Sequence, residues 1–248
     1  TARGYWASGV HLKLTDDIDA SATVSWNVGD HDNNAGTANV AMGFSPIGVF
    51  NTAFFEASFD GAGYEISNLY INRPASGDIG LFGATKGAVI ANLGVTNVNV
   101  TGQSIVGGLM AYASNSSITD SYATGAVEGK GSYIGGLVGR NDSGSTTTGS
   151  YAAGSVKGTE YVGGLVGGNT NSSITASYAT GAVAGTEDYV GGLVGRASSN
   201  SSITASYATG TVSGNNRVGG LVGRNTNGSS IITSYAKGAV EGAGVNVG

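Results

Sequence analysis

The 248-residue chain has no cysteine. Its fold therefore uses no disulfide, and no thiolate serves as nucleophile or metal ligand. It has only two histidines, His11 and His31. No serine stands at a suggestive spacing from a histidine and an acid, so a catalytic triad is not indicated. Charge is scarce: Asp, Glu, Lys and Arg make up 11% of the chain, and the net charge is −5. The eleven Lys and Arg are scattered singly and form no basic stripe, which argues against nucleic acid as a partner. No run of 18 apolar residues occurs, so no helical membrane insertion is expected. Helical spacing of apolar residues is absent too. Yet 40% of the residues are hydrophobic, too many for a disordered chain. The opening TARGYW is unlike a signal peptide and the chain starts without Met, so a mature or excised fragment is expected.

What the chain has in excess is glycine, 45 residues against two prolines, with no collagen period. The glycines belong to a repeat. Leu81, Leu109, Leu137, Leu165, Leu193 and Leu221 are each 28 residues apart, and Tyr122, Tyr151, Tyr178, Tyr207 and Tyr235 follow at steps of 27 to 29. The slack belongs in a turn rather than a strand. Each period offers three apolar stretches, as in YVGGLVG, SSITASYA and GAVAG, separated by Asn-, Ser- and Gly-rich turns. Three short strands in about 28 residues predict one coil of a right-handed parallel β-helix, an all-β solenoid with coils about 4.8 Å apart. Glycines recurring at the corners, such as Gly154, Gly181 and Gly210, suggest a positive φ repeated in every coil. Asn-X-Ser/Thr sequons occur at Asn99, Asn115, Asn141, Asn171, Asn200 and Asn227; several sit in one turn column, and turn chemistry explains those without glycosylation.

Alternation in SSITASYA places Ile174, Ala176 and Tyr178 inside and Thr175 and Ser177 outside. Two structural ladders follow, the leucines and the tyrosines named above. The outer columns make a candidate binding face of Thr119, Ser121, Thr148, Ser150, Thr175, Ser177, Thr204 and Ser206. Asp120 would fall inside, a misfit in this scheme. In YVGGLVG either a glycine bulge turns both Val and Leu inward, or the valines line an outer apolar stripe. Residues 1–58 do not repeat. They hold both tryptophans and, with Phe59, five of the six phenylalanines, as expected of an N-terminal cap on a β-helix spanning 59–248. The chain stops partway through a repeat, so either the protein continues or another chain completes the stack.

Beyond the absent triad, the acids of the repeats are dispersed, and no enzyme activity or cofactor is expected. Asp30, Asp32 and Asn34 alternate as at the start of a calcium loop, but the glycine comes one place late and no Glu follows at the twelfth position.

The GGLVG core, the SYATG segment and the lead-in LKLTDDIDAS (12–21), FSPIG (44–48) and FEASFDGAGYEISNLYI (55–71) resemble the GLUG-motif repeat proteins. The resemblance spans residues 11 to 248. It implies a stalk or module of large bacterial surface or secreted proteins, such as filamentous-haemagglutinin-type adhesins and immunoglobulin A metallopeptidases. The peptidases' HExxH is absent here, so their chemistry does not transfer. The expectation is a non-enzymatic extracellular structural or adhesive module that touches a host or cell-surface glycan or protein. Two alternatives stay open: ice or glycan binding through the Thr/Ser face, and filaments of identical chains stacked end to end.

Overall fold

The computed structural model describes residues 2–29 and 40–248. The chain winds into a parallel β-solenoid of about seven turns, roughly 28 residues each. Among the described residues the only helices are two 3-10 segments, Ala2–Trp6 and Ser21–Ser25. Among the described residues no helix is long and apolar enough to cross a membrane.

Each full coil carries five short strands rather than three. One coil consists of Glu160–Gly163, Val166–Thr170, Ser173–Thr175, Tyr178–Ala179 and Val183–Gly185. Equivalent strands of successive coils pair in parallel and form sheets of five, six, eight and thirteen strands; the last collects both the tyrosine and the valine strands. Register is kept by identity. Ile174 faces Ile203, Val183 faces Val212, and Tyr178 faces Tyr207. A one-residue slip would put the apolar column in water, so the 28-residue period and the register enforce each other.

The core is a set of such columns. Leu109, Leu137, Leu165 and Leu193 are fully buried, and Leu81 nearly so; Leu221, in the last coil, is half-buried. Beside them run Ile118, Ile174 and Ile203; Val156, Val183 and Val212; and Ala152, Ala179 and Ala208. Each buried Leu, Ile or Val adds about 1.5–3 kcal/mol of transfer free energy.

In the GGLVG stretch Val and Leu both turn inward, as the bulge reading expected, and there is no outer stripe; the turn is a sharp fold of the chain. Val162, Val190 and Val218 are buried, as are Val166 and Val194. The chain folds sharply between Gly163 and Val166, so that two strands of one coil lie against each other. A Cβ on Gly163 would overlap the Val166 carbonyl oxygen, and a Cβ on Gly167 would come within 2.6 Å of the Gly139 oxygen. Glycine is needed there for close approach.

The same holds at the corner expected to need positive φ. Gly125 has it, at φ 116°, but Gly154, Gly181, Gly210 and Gly238 do not; a Cβ on any of these four would overlap the backbone of the equivalent glycine one coil earlier. Left-handed conformations instead recur at non-glycine residues, including Asn115, Asn171, Asn200 and Asn227 at φ between 47° and 61°. Asparagine tolerates this region best after glycine, which accounts for these turn asparagines. Asn141 differs: it is fully buried, and its amide donates to Thr147 Oγ1 at 3.0 Å.

The N-terminal segment joins the stack by strand pairing. His11–Lys13 pairs with Ser58–Asp60, and Ile18–Asp19 with Glu65–Ser67, both in parallel. Parallel bridges link Ile47 to Phe82 and Phe55 to Thr85. The aromatic residues close over this end, with the Phe55 and Phe82 rings 4.9 Å apart.

Candidate contact surfaces

The corner after the isoleucine strand decides which side chains face out. There Asp120, Gly149, Ala176, Ala205 and Thr233 have φ of 47°, 60°, 49°, 50° and 49°. One left-handed residue per coil reverses the alternation. Ser121, Ser150, Ser177 and Ser206 therefore turn inward and are fully buried, while the tyrosines that follow turn outward. This corrects the expected arrangement in two places: these serines are not part of an outer face, and the tyrosine ladder is not in the core. Asp120 ceases to be a misfit, since it sits exposed at the corner itself.

The buried serines carry the inter-coil hydrogen bonding through the corner. Each hydroxyl donates to the carbonyl two residues back at 2.8 Å. Each also accepts an N–H from the coil before: Ser121 N–H bonds Ser150 Oγ at 3.2 Å, Ser150 N–H bonds Ser177 Oγ at 3.2 Å, and Ser177 N–H bonds Ser206 Oγ at 3.2 Å. Ser116, Ser145, Ser172 and Ser201 form a second buried column at the other end of the isoleucine strand.

Outside, Tyr122, Tyr151, Tyr178, Tyr207 and Tyr235 stack with centroids 4.7 to 5.3 Å apart and planes within 6° of parallel. Each stacked pair contributes about 0.5–1.5 kcal/mol beyond its burial. The rings cover one another's faces, so the ladder offers edges and hydroxyls to solvent rather than a flat platform. At its N-terminal end Tyr122 leans over Gly94 and donates to the Glu65 carboxylate. Burial, and then this bond, push the Tyr122 phenol well above its ordinary value. Burial alone is the leading cause of the rise at Tyr151 and Tyr178.

The hydroxyl-bearing outer face lies on the isoleucine strands. Ser173 and Thr175 flank the inward Ile174, and the pattern recurs as Ser117 and Thr119, Thr146 and Thr148, and Ser202 and Thr204. The threonines of the expected face thus remain outside, and their companions are the serines or threonine two residues earlier. All eight are half-exposed. Among the described residues no hydroxyl of these eight has a hydrogen-bond partner, in contrast to the buried serines. The columns repeat about 4.8 Å apart between coils and about 6.6 Å along the strand.

A second aromatic column stands at the pinched glycine edge. Tyr133, Tyr161 and Tyr189 hold left-handed φ of 65°, 53° and 65° and stack at 4.8 and 5.1 Å. Arginines interleave with it: Arg140 over Tyr133 at 5.3 Å, Arg196 over Tyr161 at 5.5 Å and Arg224 over Tyr189 at 4.9 Å, within cation–π range. Arg217 replaces tyrosine in the next coil, covers Tyr189 at 5.0 Å and pairs with Asp188. The sequence carries the signal for this column, a Tyr before each of three GGLVG copies, but strand alternation gives it no special role.

Among the described residues no three His, Cys, Asp or Glu side chains gather as a metal site requires. The calcium-loop candidate Asp30, Asp32 and Asn34 lies outside the described residues.

These coils define the class: a parallel β-solenoid built on a glycine-pinched repeat of about 28 residues. Five copies of the GLUG motif match at residues 102–128, 130–157, 158–184, 187–213 and 214–241, and the chain belongs to the GLUG-motif family. It is 41% identical over 135 residues to Halomucin of Haloquadratum walsbyi, a match that covers 53% of this chain and 1% of that protein. It is 36% identical over 139 residues to a putative Gly-rich membrane protein of Evansella cellulosilytica, covering 56% of this chain and 12% of that one. The chain thus spans a small fraction of the curated relatives it matches. A putative immunoglobulin A1 protease from Bacteroides ovatus, known as a crystal structure, shares the fold at a TM-score of 0.70 and 23% identity, covering 98% of this chain and 74% of that one.

Proposed function

We propose that the chain is a non-enzymatic structural and adhesive module of an extracellular or surface-borne protein, acting through repeated outer columns. The observation that carries this reading is the constancy of those columns, with Thr119, Thr148, Thr175 and Thr204 in one row and five tyrosines in another, held in register by a core that repeats with few changes, such as Thr147 in the isoleucine column. A weak contact made by one coil recurs in its neighbours, and effective concentration turns the series into avidity. The membrane-protein name of one relative supports a surface location. Binding of the intact chain to an array of cell-surface glycans and matrix proteins tests the reading. The expected result is slow dissociation that becomes several-fold faster when residues 161–188, one whole period, are removed. No binding across the array overturns the adhesive part.

A second reading is favoured by one observation, the eight hydroxyls that have no partner among the described residues. A flat, uncharged array of free hydroxyls at regular spacing can order water or meet the surface of a regular solid, ice or a crystalline glycan. Thermal hysteresis and retention on insoluble glycan measure this directly. Zero on both counts ends it.

A further inference from the structure

Arg196 and Arg224 are register partners in adjacent coils, so their side chains leave the sheet about 4.8 Å apart. The other two arginines of this edge are neutralised, Arg140 by Asp142 at 2.7 Å and Arg217 by Asp188. Among the described residues neither Arg196 nor Arg224 has an acidic partner. Both are nonetheless held in place. Arg196 lies over Tyr161, and its Nε is shut off from solvent with no acceptor. Arg224 lies over Tyr189 and donates to its hydroxyl at 3.1 Å. Glu160, beside Tyr161 in the chain, accepts from the Ser132 hydroxyl at 3.4 Å and makes no ion pair with Arg196.

Two fixed, like-charged guanidinium groups one coil apart repel each other, and an oxyanion between them removes that cost. Guanidinium forks suit carboxylate and sulfate bidentately. The net charge of −5 makes diffuse attraction of polyanions an inadequate cause, so any anion held here is held locally. We infer that Arg196 and Arg224, seated on Tyr161 and Tyr189, form a binding site for the oxyanion groups of an acidic polysaccharide. This rests on the adhesive reading above and names the partner's chemistry.

The test measures binding of the intact chain to dextran sulfate and to polygalacturonate, with neutral dextran as blank. Binding above the blank is expected, weakening as salt rises. Preference for one polymer identifies the group as sulfate ester or carboxylate. R196Q/R224Q should bind about tenfold or more weakly, and R196K/R224K, which keeps charge but loses the fork, should fall between. R73Q, which changes an arginine bonded instead to Phe44 O and Ser45 Oγ, should bind as the parent does. Should the glutamine pair lower the melting temperature, the lysine pair carries the test. No binding to either polymer, or equal binding by the parent and both double variants, overturns the inference. Binding to neutral glycans or proteins that survives R196Q/R224Q would leave the adhesive reading standing without it.

Discussion

Removing the hydroxyl of Ser177 leaves the buried Ser150 N–H without its acceptor and the Thr175 carbonyl without that donor. A buried group stripped of its partner costs about 1–3 kcal/mol. Ser177→Ala should therefore lower stability by roughly 2 kcal/mol in denaturant titration, whereas Thr175→Ala, on the outer face with no internal partner, should change it by less than about 0.5 kcal/mol. Equal losses would contradict the inside–outside assignment of the corner. That assignment was hidden in the sequence for a reason specific to these residues. Ala176 and Ala205 adopt a left-handed conformation that costs an alanine about 1–2 kcal/mol, and nothing in the letters SITASYA announces it. Strict alternation gives the right side for Ile174 and Thr175, before the corner, and the wrong side for Ser177 and Tyr178, after it.

At the scale of the coil's strands, the leucine column was legible because its period is exact to the residue and its side chains admit only the core, whereas the same spacing left the valines of GGLVG open between core and outer stripe. The role of the glycines was half legible: their recurrence marks the corners, but close approach and positive φ leave the same mark. Substitution separates the two causes. Gly163→Ala places a Cβ onto the Val166 carbonyl and within 2.6 Å of the Gly195 nitrogen, in a site with no room to yield. It should cost roughly 3 kcal/mol or more by thermal melt. Gly63→Ala, at φ +86° with open space around it, should cost only about 1 kcal/mol. The two tyrosine columns add a pH dependence. The phenols of Tyr122, Tyr151, Tyr161 and Tyr178 stand above their ordinary value, with burial the leading cause at each. A phenol with a raised folded pKa keeps its proton in the folded chain after the unfolded chain has lost it. Its contribution is complete below about pH 10 and declines as pH rises through the folded values. The denaturation midpoint should hold steady to about pH 9 and fall beyond about pH 10, more shallowly in Tyr122→Phe.

For the whole molecule, the parallel ladder makes stability close to a sum over neighbouring coils, since each coil touches only those above and below it. Residues 161–188 are one full period. Their removal joins Glu160 to Tyr189, which occupies the same place as Tyr161 in the ladder, with Val190 in the place of Val162. Every column then closes up by one rung: Leu137 meets Leu193, Ile134 meets Val190, and the buried serines on either side of the gap can bond as their neighbours did. The shortened chain should keep its β-sheet circular dichroism and cooperative unfolding. Its m-value should fall in proportion to the surface lost, roughly one coil in seven. Removal of fourteen residues from the same place gives the opposite result. Half a period rotates every later column onto the wrong face, sets valine against serine, and breaks the register that identity maintains. That variant should be unfolded or aggregated, and a folded one would mean that the columns, and the multivalent contact built on them, do not depend on the 28-residue period.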